Sequence, residues 1–190
     1  MKIAQTILAV TAVLFLPAAA AGPFAFDDIR LGAGYNRLAR ELDFRDIERA
    51  LRDARARGTT KPDLGRRGYG CMRRDDPSAD ITCVSHEEKI AGVPTREVRL
   101  QFLDGMLQQF SITAELKHLG AIVGAVSARF GAPRIEPAAE GRDETFLWRN
   151  GDSKITGYAG KDLVFVSFEL ASYAAATARR QERGSPQECR

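Results

Sequence analysis

The chain has little of what metal and redox sites require. It contains three cysteines, two histidines and one tryptophan in 190 residues. No Cys-x-x-Cys motif is present, which argues against a thioredoxin-like redox site. A structural zinc site needs about four cysteine or histidine ligands at close spacing, and no segment supplies them. We therefore predict no metal site, no cofactor-binding site and no catalytic constellation.

An excess of charge of one sign is also missing. The chain has 28 basic and 25 acidic residues, a net charge of +3. A nucleic-acid-binding domain usually shows a clear basic excess, so no nucleic-acid partner is predicted. Basic residues do gather between Arg52 and Arg74, which includes Arg66, Arg67 and Arg73. This stretch suits an anionic membrane surface or an acidic partner, or else a solvated helix face and loop.

Only one long apolar run occurs, at the N-terminus. Lys2 precedes the run from Ile7 to Leu16, Pro17 breaks it, and small alanines follow. This order is typical of a secretory signal peptide over residues 1–21, and a transmembrane helix would need about 20 apolar residues. We predict cleavage at about Ala21/Gly22 and a periplasmic or secreted protein with no transmembrane span.

Three stretches show the apolar spacing of helices. The first lies around Leu38. Asp43 is the predicted N-cap of a second helix, which Gly58 ends. Residues 114–130 carry the clearest apolar stripe, and Thr113 is their predicted N-cap.

Strand and turn signals follow each helical pattern. Residues 96–102 and 162–170 alternate between apolar and polar, as half-buried strands do, and residues 24–31 have the composition of a short strand. Asp104-Gly105 and Asn150-Gly151 predict type I′ hairpin turns, because both central residues of such turns adopt positive φ.

The order of these elements predicts an α+β fold, with helices packed on one face of an antiparallel sheet. Residues 22–170 are expected to form one domain. Helices precede hairpins twice, which divides the domain into two halves, 35–113 and 114–170. Residues 132–143 have the composition of a loop, and residues 171–190 that of a polar tail that begins as a short helix.

Cys71 and Cys83 bracket the segment MRRDDPSADIT. In an oxidising compartment two such cysteines favour a structural disulfide, with Cα atoms about 4.4–6.8 Å apart. Closing a loop of this length stabilises a fold by about 3 kcal/mol in the chain-entropy model. Cys189 is the unpaired cysteine, either an incidental tail residue or a link to a partner.

Few residues suggest catalysis. His86, Glu87 and Glu88 are acid–base candidates by residue type, but no nucleophile or recognised catalytic motif accompanies them. The sequence therefore favours a non-enzyme, with a hydrolase-type enzyme that uses these three residues as the alternative. Trp148 is either a core residue or an exposed partner contact, and Arg73 and Arg74 are further candidate contacts.

A resemblance to known families rests on the helix that ends in Phe130-Gly131-Ala132-Pro133, followed by Trp148 at the opening of a hairpin. This order is similar to the outer-membrane assembly lipoproteins of the SmpA/OmlA type and to the tandem modules of β-lactamase-inhibitor-like proteins. The chain departs from the lipoprotein family because no lipid-anchor cysteine follows the apolar run. The resemblance implies a binding or scaffold module. The expected function is thus an exported binding module for an envelope protein or an anionic envelope component.

Overall fold

The computed structural model describes residues 23–59, 68–86, 88–137 and 144–184. Within them the chain forms one large mixed sheet with helices against it, which confirms the predicted α+β class. The helices are α1 (Tyr35–Glu41), α2 (Ile47–Ala56), α3 (Leu119–Phe130) and α4 (Tyr173–Gly184), with a 3₁₀ turn at Leu116–His118. The strands are β1 (Ala25–Phe26), β2 (Ile29–Arg30), β3 (Phe44–Asp46), β4 (Tyr69–Asp76), β5 (Ala79–Ser85), β6 (Lys89–Ile90), β7 (Val93–Pro94), β8 (Glu97–Leu103), β9 (Met106–Glu115), β10 (Arg134–Glu136), β11 (Thr145–Arg149), β12 (Ser153–Ala159) and β13 (Leu163–Leu170).

The sheet joins two antiparallel series of strands at its centre. Its spatial order is β10-β11-β12-β13-β9-β8-β5-β4-β3. One series runs inward from β4 to β9 and the other from β10 to β13, so the last strands of the two series pair with each other. That pairing extends from Leu163↔Glu115 to Glu169↔Gln109. Only the β3–β4 pair is parallel among the described strands of this sheet. The two series therefore share one continuous sheet.

One face of this sheet holds the hydrophobic core. Side chains alternate between the two faces along a strand, and Phe102, Phe110 and Phe168 are fully buried on this face. The Phe110 and Phe168 rings stack at 4.2 Å across the central β9–β13 pair. Phe26, from the β1–β2 hairpin, stacks on Phe168 at 5.3 Å. Helices α1 and α3 add buried side chains to the same cluster, among them Leu38, Ile122 and Val126.

Helix α2 lies near the edge of the sheet formed by β4 and β3. A Cβ built on Gly70 would lie 2.9 Å from Cδ1 of Ile47, so glycine leaves room for the start of this helix. Gly70 lies between Tyr69 and Cys71, whose side chains are buried in the core. Because successive residues of a strand face opposite sides of the sheet, position 70 faces away from the core. The space above Gly70 is therefore on the other face, and α2 starts there.

Helix α4 is tied to two hairpin turns at one end of the sheet. The Tyr173 hydroxyl donates to the Ser78 carbonyl oxygen at 3.0 Å. The Arg180 guanidinium contacts Asp80 and Asp104, each at 2.6 Å. The hydrogen bond from Arg180 holds the pKa of Asp80 below its ordinary value. These contacts fix the direction of α4 across the strand ends.

The start of α2 differs from the sequence prediction. Asp43 was the expected N-cap, but Asp46 takes that role and accepts a hydrogen bond from the Arg49 backbone N–H at 3.0 Å. Residues 44–46 form β3 instead of the first helical turn, because they pair with β4, as in Phe44↔Tyr69. Gly58 follows the helix with φ of 72°, as predicted.

The third helix also starts later than predicted. Thr113 is not a helix cap, because it lies in β9 opposite Phe165. The strand continues to Glu115, and α3 begins only at Leu119. Pairing with β13 thus overrides the helical spacing of the first residues. The predicted end is correct, since Gly131 has φ of 85°.

The two predicted hairpin turns differ. Asp104 and Gly105 have φ of 53° and 74°, which confirms the type I′ turn. Asn150 and Gly151 do not adopt positive φ, so that prediction was wrong. The Asn150 side-chain oxygen instead accepts a hydrogen bond from the Ser153 backbone N–H at 2.7 Å. The turn is therefore held by a side chain, as asparagine commonly does.

Three segments contain more structure than predicted. Residues 24–31 form a small hairpin, not one strand. Residues 134–136, within the predicted loop, pair with β11 as an edge strand. Residues 173–184, in the predicted tail, form all of α4. Residues 138–143 and 185–190 lie outside the described residues, and so does Cys189.

Candidate binding surface

The predicted cysteine pair is brought together. Cys71 and Cys83 are direct cross-strand partners on β4 and β5, and their sulfur atoms lie 2.06 Å apart. Their Cα atoms are 4.0 Å apart, just below the predicted range, and the two residues are directly opposed across the strand pair. Both side chains are buried in the core. The pair is therefore placed as a staple and not as an accessible thiol site.

Trp148 is a core residue in this fold. It is 4% exposed, and its indole N–H donates to the Gly131 carbonyl oxygen at 2.8 Å. Its ring stacks on Phe146 with centroids 6.4 Å apart. Of the two interpretations of Trp148, this burial supports the core and leaves little surface for a partner contact.

The candidate arginines are only partly described. Arg73 and Arg74 are exposed at the end of β4, where Asp75 and Asp76 directly follow them and are also exposed. The adjoining carboxylates reduce the local positive charge. Arg66 and Arg67 lie outside the described residues.

The acid–base candidates do not form a catalytic pair within the described residues. His86 is exposed, and its Nδ1 lies 3.0 Å from the Arg96 carbonyl oxygen. Glu88 accepts a hydrogen bond from the Ser85 hydroxyl at 2.9 Å. Glu87 is outside the described residues. His86 and Glu88 thus have separate hydrogen-bond partners and are not hydrogen-bonded to each other.

The face of the sheet opposite the core presents an ordered polar lattice on β8, β9, β13, β12 and β11. Cross-strand register places fifteen side chains in three rows that run across these five strands. We call this surface the open face. The first row is Glu97, Thr113, Phe165, Tyr158 and Thr145; the second is Arg99, Ser111, Ser167, Thr156 and Leu147; the third is Gln101, Gln109, Glu169, Lys154 and Arg149.

Among the described residues, the charged side chains of this face reach solvent, whereas Leu147 of the middle row is only 9% exposed. The Arg99 and Lys154 side chains are 44% and 40% exposed. In the middle row, Ser111 and Ser167 are only 7% and 4% exposed. These serines are short, and the longer side chains of the rows on either side shield them. The open face is therefore lowest at these two serines, near its centre.

Hydrogen bonds hold the third row in place. The Gln109 amide nitrogen donates to the Ser167 hydroxyl at 2.8 Å and to the Glu169 carboxylate at 3.1 Å. The Lys154 ammonium lies 3.0 Å from the other oxygen of Glu169. Exposed ion pairs of this kind add at most about 1 kcal/mol to stability. Their main effect is to order polar side chains before a partner arrives, which lowers the entropic cost of binding.

The first row supplies aromatic surface. The Tyr158 and Phe165 rings are cross-strand neighbours with centroids 5.1 Å apart, and both side chains are partly exposed. Aromatic and arginine side chains are enriched where interfaces gain most of their binding energy. The open face thus combines aromatic anchors, hydrogen-bonding groups and charges of both signs.

None of the open-face residues was identified as functional from the sequence. The available signal was alternation, which marks Glu97, Arg99 and Gln101 as the polar face of a strand. Alternation does not show which strands are neighbours or how their residues align. The lattice became visible only with the register of the folded sheet.

Comparison of the chain with protein-family models, curated proteins and solved structures finds no match. The resemblance to SmpA/OmlA-type and β-lactamase-inhibitor-like modules therefore stays a prediction.

Proposed function

We propose that this chain is an exported, non-catalytic binding module whose open face docks a protein partner of the cell envelope. The observation that carries the proposal is the open face itself. Five strands at about 4.8 Å spacing and five residues at about 3.3 Å each give a surface of roughly 400 Å². A standard interface buries about 800 Å² on each partner. The open face would therefore supply about half of such an interface.

The chemistry of the open face favours a protein over an anionic membrane. Its two carboxylates, Glu97 and Glu169, nearly balance Arg99, Arg149 and Lys154. A balanced surface gives little attraction to anionic lipids, which recognise clustered basic residues. Ordered polar groups beside aromatic rings are typical of protein interfaces.

Export is supported by two features of the chain. The N-terminal pattern is that of a signal peptide, although residues 1–22 lie outside the described residues. Cys71 and Cys83 lie at bonding distance, and disulfides persist mainly in oxidising compartments. Within the described residues, no helix combines the length and apolar character needed to cross a membrane.

The exposed arginines favour a second candidate function, attachment to an anionic envelope component. Helix α2 exposes Arg52 and Arg55, its C-cap is the exposed Arg57, and β4 exposes Arg73 and Arg74. Arg52 lies 3.9 Å from Glu48, which offsets part of this charge. Helix α2 lies over β4, two strands from the β8 edge of the open face, so contact mapping distinguishes the two candidates.

Thr156→Arg should abolish docking on the open face. Thr156 is partly exposed in the middle row, and an arginine there would project from the open face and add a charge beside Ser167 and Leu147. We expect at least a tenfold loss of partner recovery, comparable to the loss of an interface hot spot. The measurement is capture from envelope extract by tagged wild-type and variant protein, with quantification of one stoichiometric partner.

Ala178→Arg is the matched control, because it adds the same side chain at an exposed position of α4. It should capture the partner as the wild type does. Circular dichroism should show that all three proteins are folded. Equal recovery by wild type and Thr156→Arg would rule out the open face as the docking surface.

A further inference from the structure

An acidic cleft lies on the other side of the molecule, at the end of the core face. It consists of a cavity of about 370 Å³ next to one of about 350 Å³, and both are lined by Asp27, Asp28 and Glu41. Asp43, Glu88 and Lys89 also line the larger cavity, and Arg30 and Arg37 line the smaller one. Volumes of this size are typical of small-molecule sites.

Three of these carboxylates have no ion-pair partner among the described residues. Glu41 and Asp43 are paired with Arg37 and Arg45. The other three are Asp27, Asp28 and Glu88. In the described part of the chain, Asp27 accepts a hydrogen bond only from the Ala91 backbone N–H, at 2.6 Å. Glu88 accepts one from the neutral hydroxyl of Ser85. Within the described residues, Asp27, Asp28 and Glu88 therefore carry negative charge that no ion pair neutralises.

A largely buried tyrosine also faces this cleft. Tyr69 is 4% exposed and lines the larger cavity. Among the described residues, its hydroxyl forms no hydrogen bond, which is uncommon for a buried tyrosine. Burial raises the pKa of Tyr69, and the nearby charges of Glu88 and Asp27 raise it further. The neutral hydroxyl thus lies close to two unpaired carboxylates and has lone pairs that can accept a hydrogen bond from a cation.

The arrangement fits an extended cation better than a metal ion. Within the described residues, no group of three or more carboxylate, histidine or cysteine side chains converges closely enough to hold a metal. The unpaired carboxylates are instead distributed along the two adjoining cavities. An aliphatic chain with several ammonium groups can place a positive charge near each of them.

From these observations we propose that the acidic cleft binds an aliphatic polyamine, with Asp27, Asp28 and Glu88 as carboxylate contacts and the Tyr69 hydroxyl as a neutral acceptor. The site is separate from the open face, so its test is independent of the protein-docking proposal.

Titration calorimetry of the full chain with spermidine tests the site. The wild type should bind one spermidine with saturation, and the affinity should fall as salt is added. Asp28→Asn and Glu88→Gln should each weaken binding about tenfold, the loss expected for one charge-assisted hydrogen bond. Tyr69→Phe keeps the ring next to Phe44 and removes only the hydroxyl. It should also weaken binding.

Asp162→Asn is the matched control, because Asp162 is exposed and does not line the cleft. It should bind spermidine as the wild type does. Equal weakening by this control would show a diffuse ionic effect and contradict the site. The absence of saturable binding would also overturn the proposal, and so would stoichiometric displacement of spermidine by calcium.

Discussion

Phe168→Ala should cost about 3–5 kcal/mol of unfolding free energy, the usual range for removal of a buried phenylalanine. Phe168 is fully buried at the centre of the sheet and stacks on both Phe110 and Phe26. It therefore joins β13, β9 and the β1–β2 hairpin in one core. Urea denaturation, followed by circular dichroism and by Trp148 fluorescence, measures the loss. Both signals should report the same single transition, because the two series of strands share this core.

Leu163→Ala is the control on the same strand, since Leu163 is 39% exposed. It should cost less than about 1 kcal/mol. If Phe168→Ala does not fold, Phe168→Leu gives a smaller loss of the same sign. Two separate unfolding transitions would contradict a shared core, as would a loss of less than 1 kcal/mol for Phe168→Ala.

Removal of the cysteine pair is expected to lower the unfolding free energy by about 3 kcal/mol. A bond between residues 71 and 83 reduces the conformational entropy of the unfolded chain by closing a loop, and the substitution removes this effect. Cys71→Ala/Cys83→Ala avoids a free thiol and keeps small apolar side chains in the core. The urea midpoint should fall, and the overall circular dichroism spectrum should be unchanged.

Reduction provides the control for the double substitution. Reduced wild-type protein should unfold at nearly the same urea concentration as the double variant, whereas reductant should not affect the variant. The staple would be refuted if the double variant kept the stability of the oxidised wild type to within about 0.5 kcal/mol. Free thiols at both positions in purified protein would refute it as well.

The sequence predicted those parts of the fold that depend on local chemistry. Asp104-Gly105 formed the expected turn because positive φ at two successive residues is a local requirement. Gly131 ends α3 as predicted, because glycine readily adopts the positive φ that follows the last turn of a helix. Except at Asn150-Gly151, where a local hydrogen bond from Ser153 to the Asn150 side chain sets the turn, the errors arose where pairing with distant residues decides the structure. Thr113 lies in a strand because β13 pairs with it, and no pattern in its neighbours shows this.

The candidate surface depends even more on distant pairing. Ser111, Ser167 and Thr156 are far apart in the sequence and become neighbours only through the β9–β13 and β13–β12 registers. The acidic cleft likewise combines Asp27 of a hairpin turn with Tyr69 at the start of β4. Sequence reasoning therefore selected residues by chemical type, such as His86 and Trp148, and could not select them by position.

Site-specific photocrosslinking tests the docking claim most directly. A photoreactive phenylalanine analogue would replace Thr113 or Gln109 on the open face, or Arg55 on the exposed side of α2. We expect both open-face positions to crosslink to the same envelope protein, and the α2 position to give no such product. Crosslinks from the α2 position alone would favour the basic surface and contradict the proposed function. The absence of a protein adduct at both open-face positions, in cells that contain the folded protein, would contradict it as well.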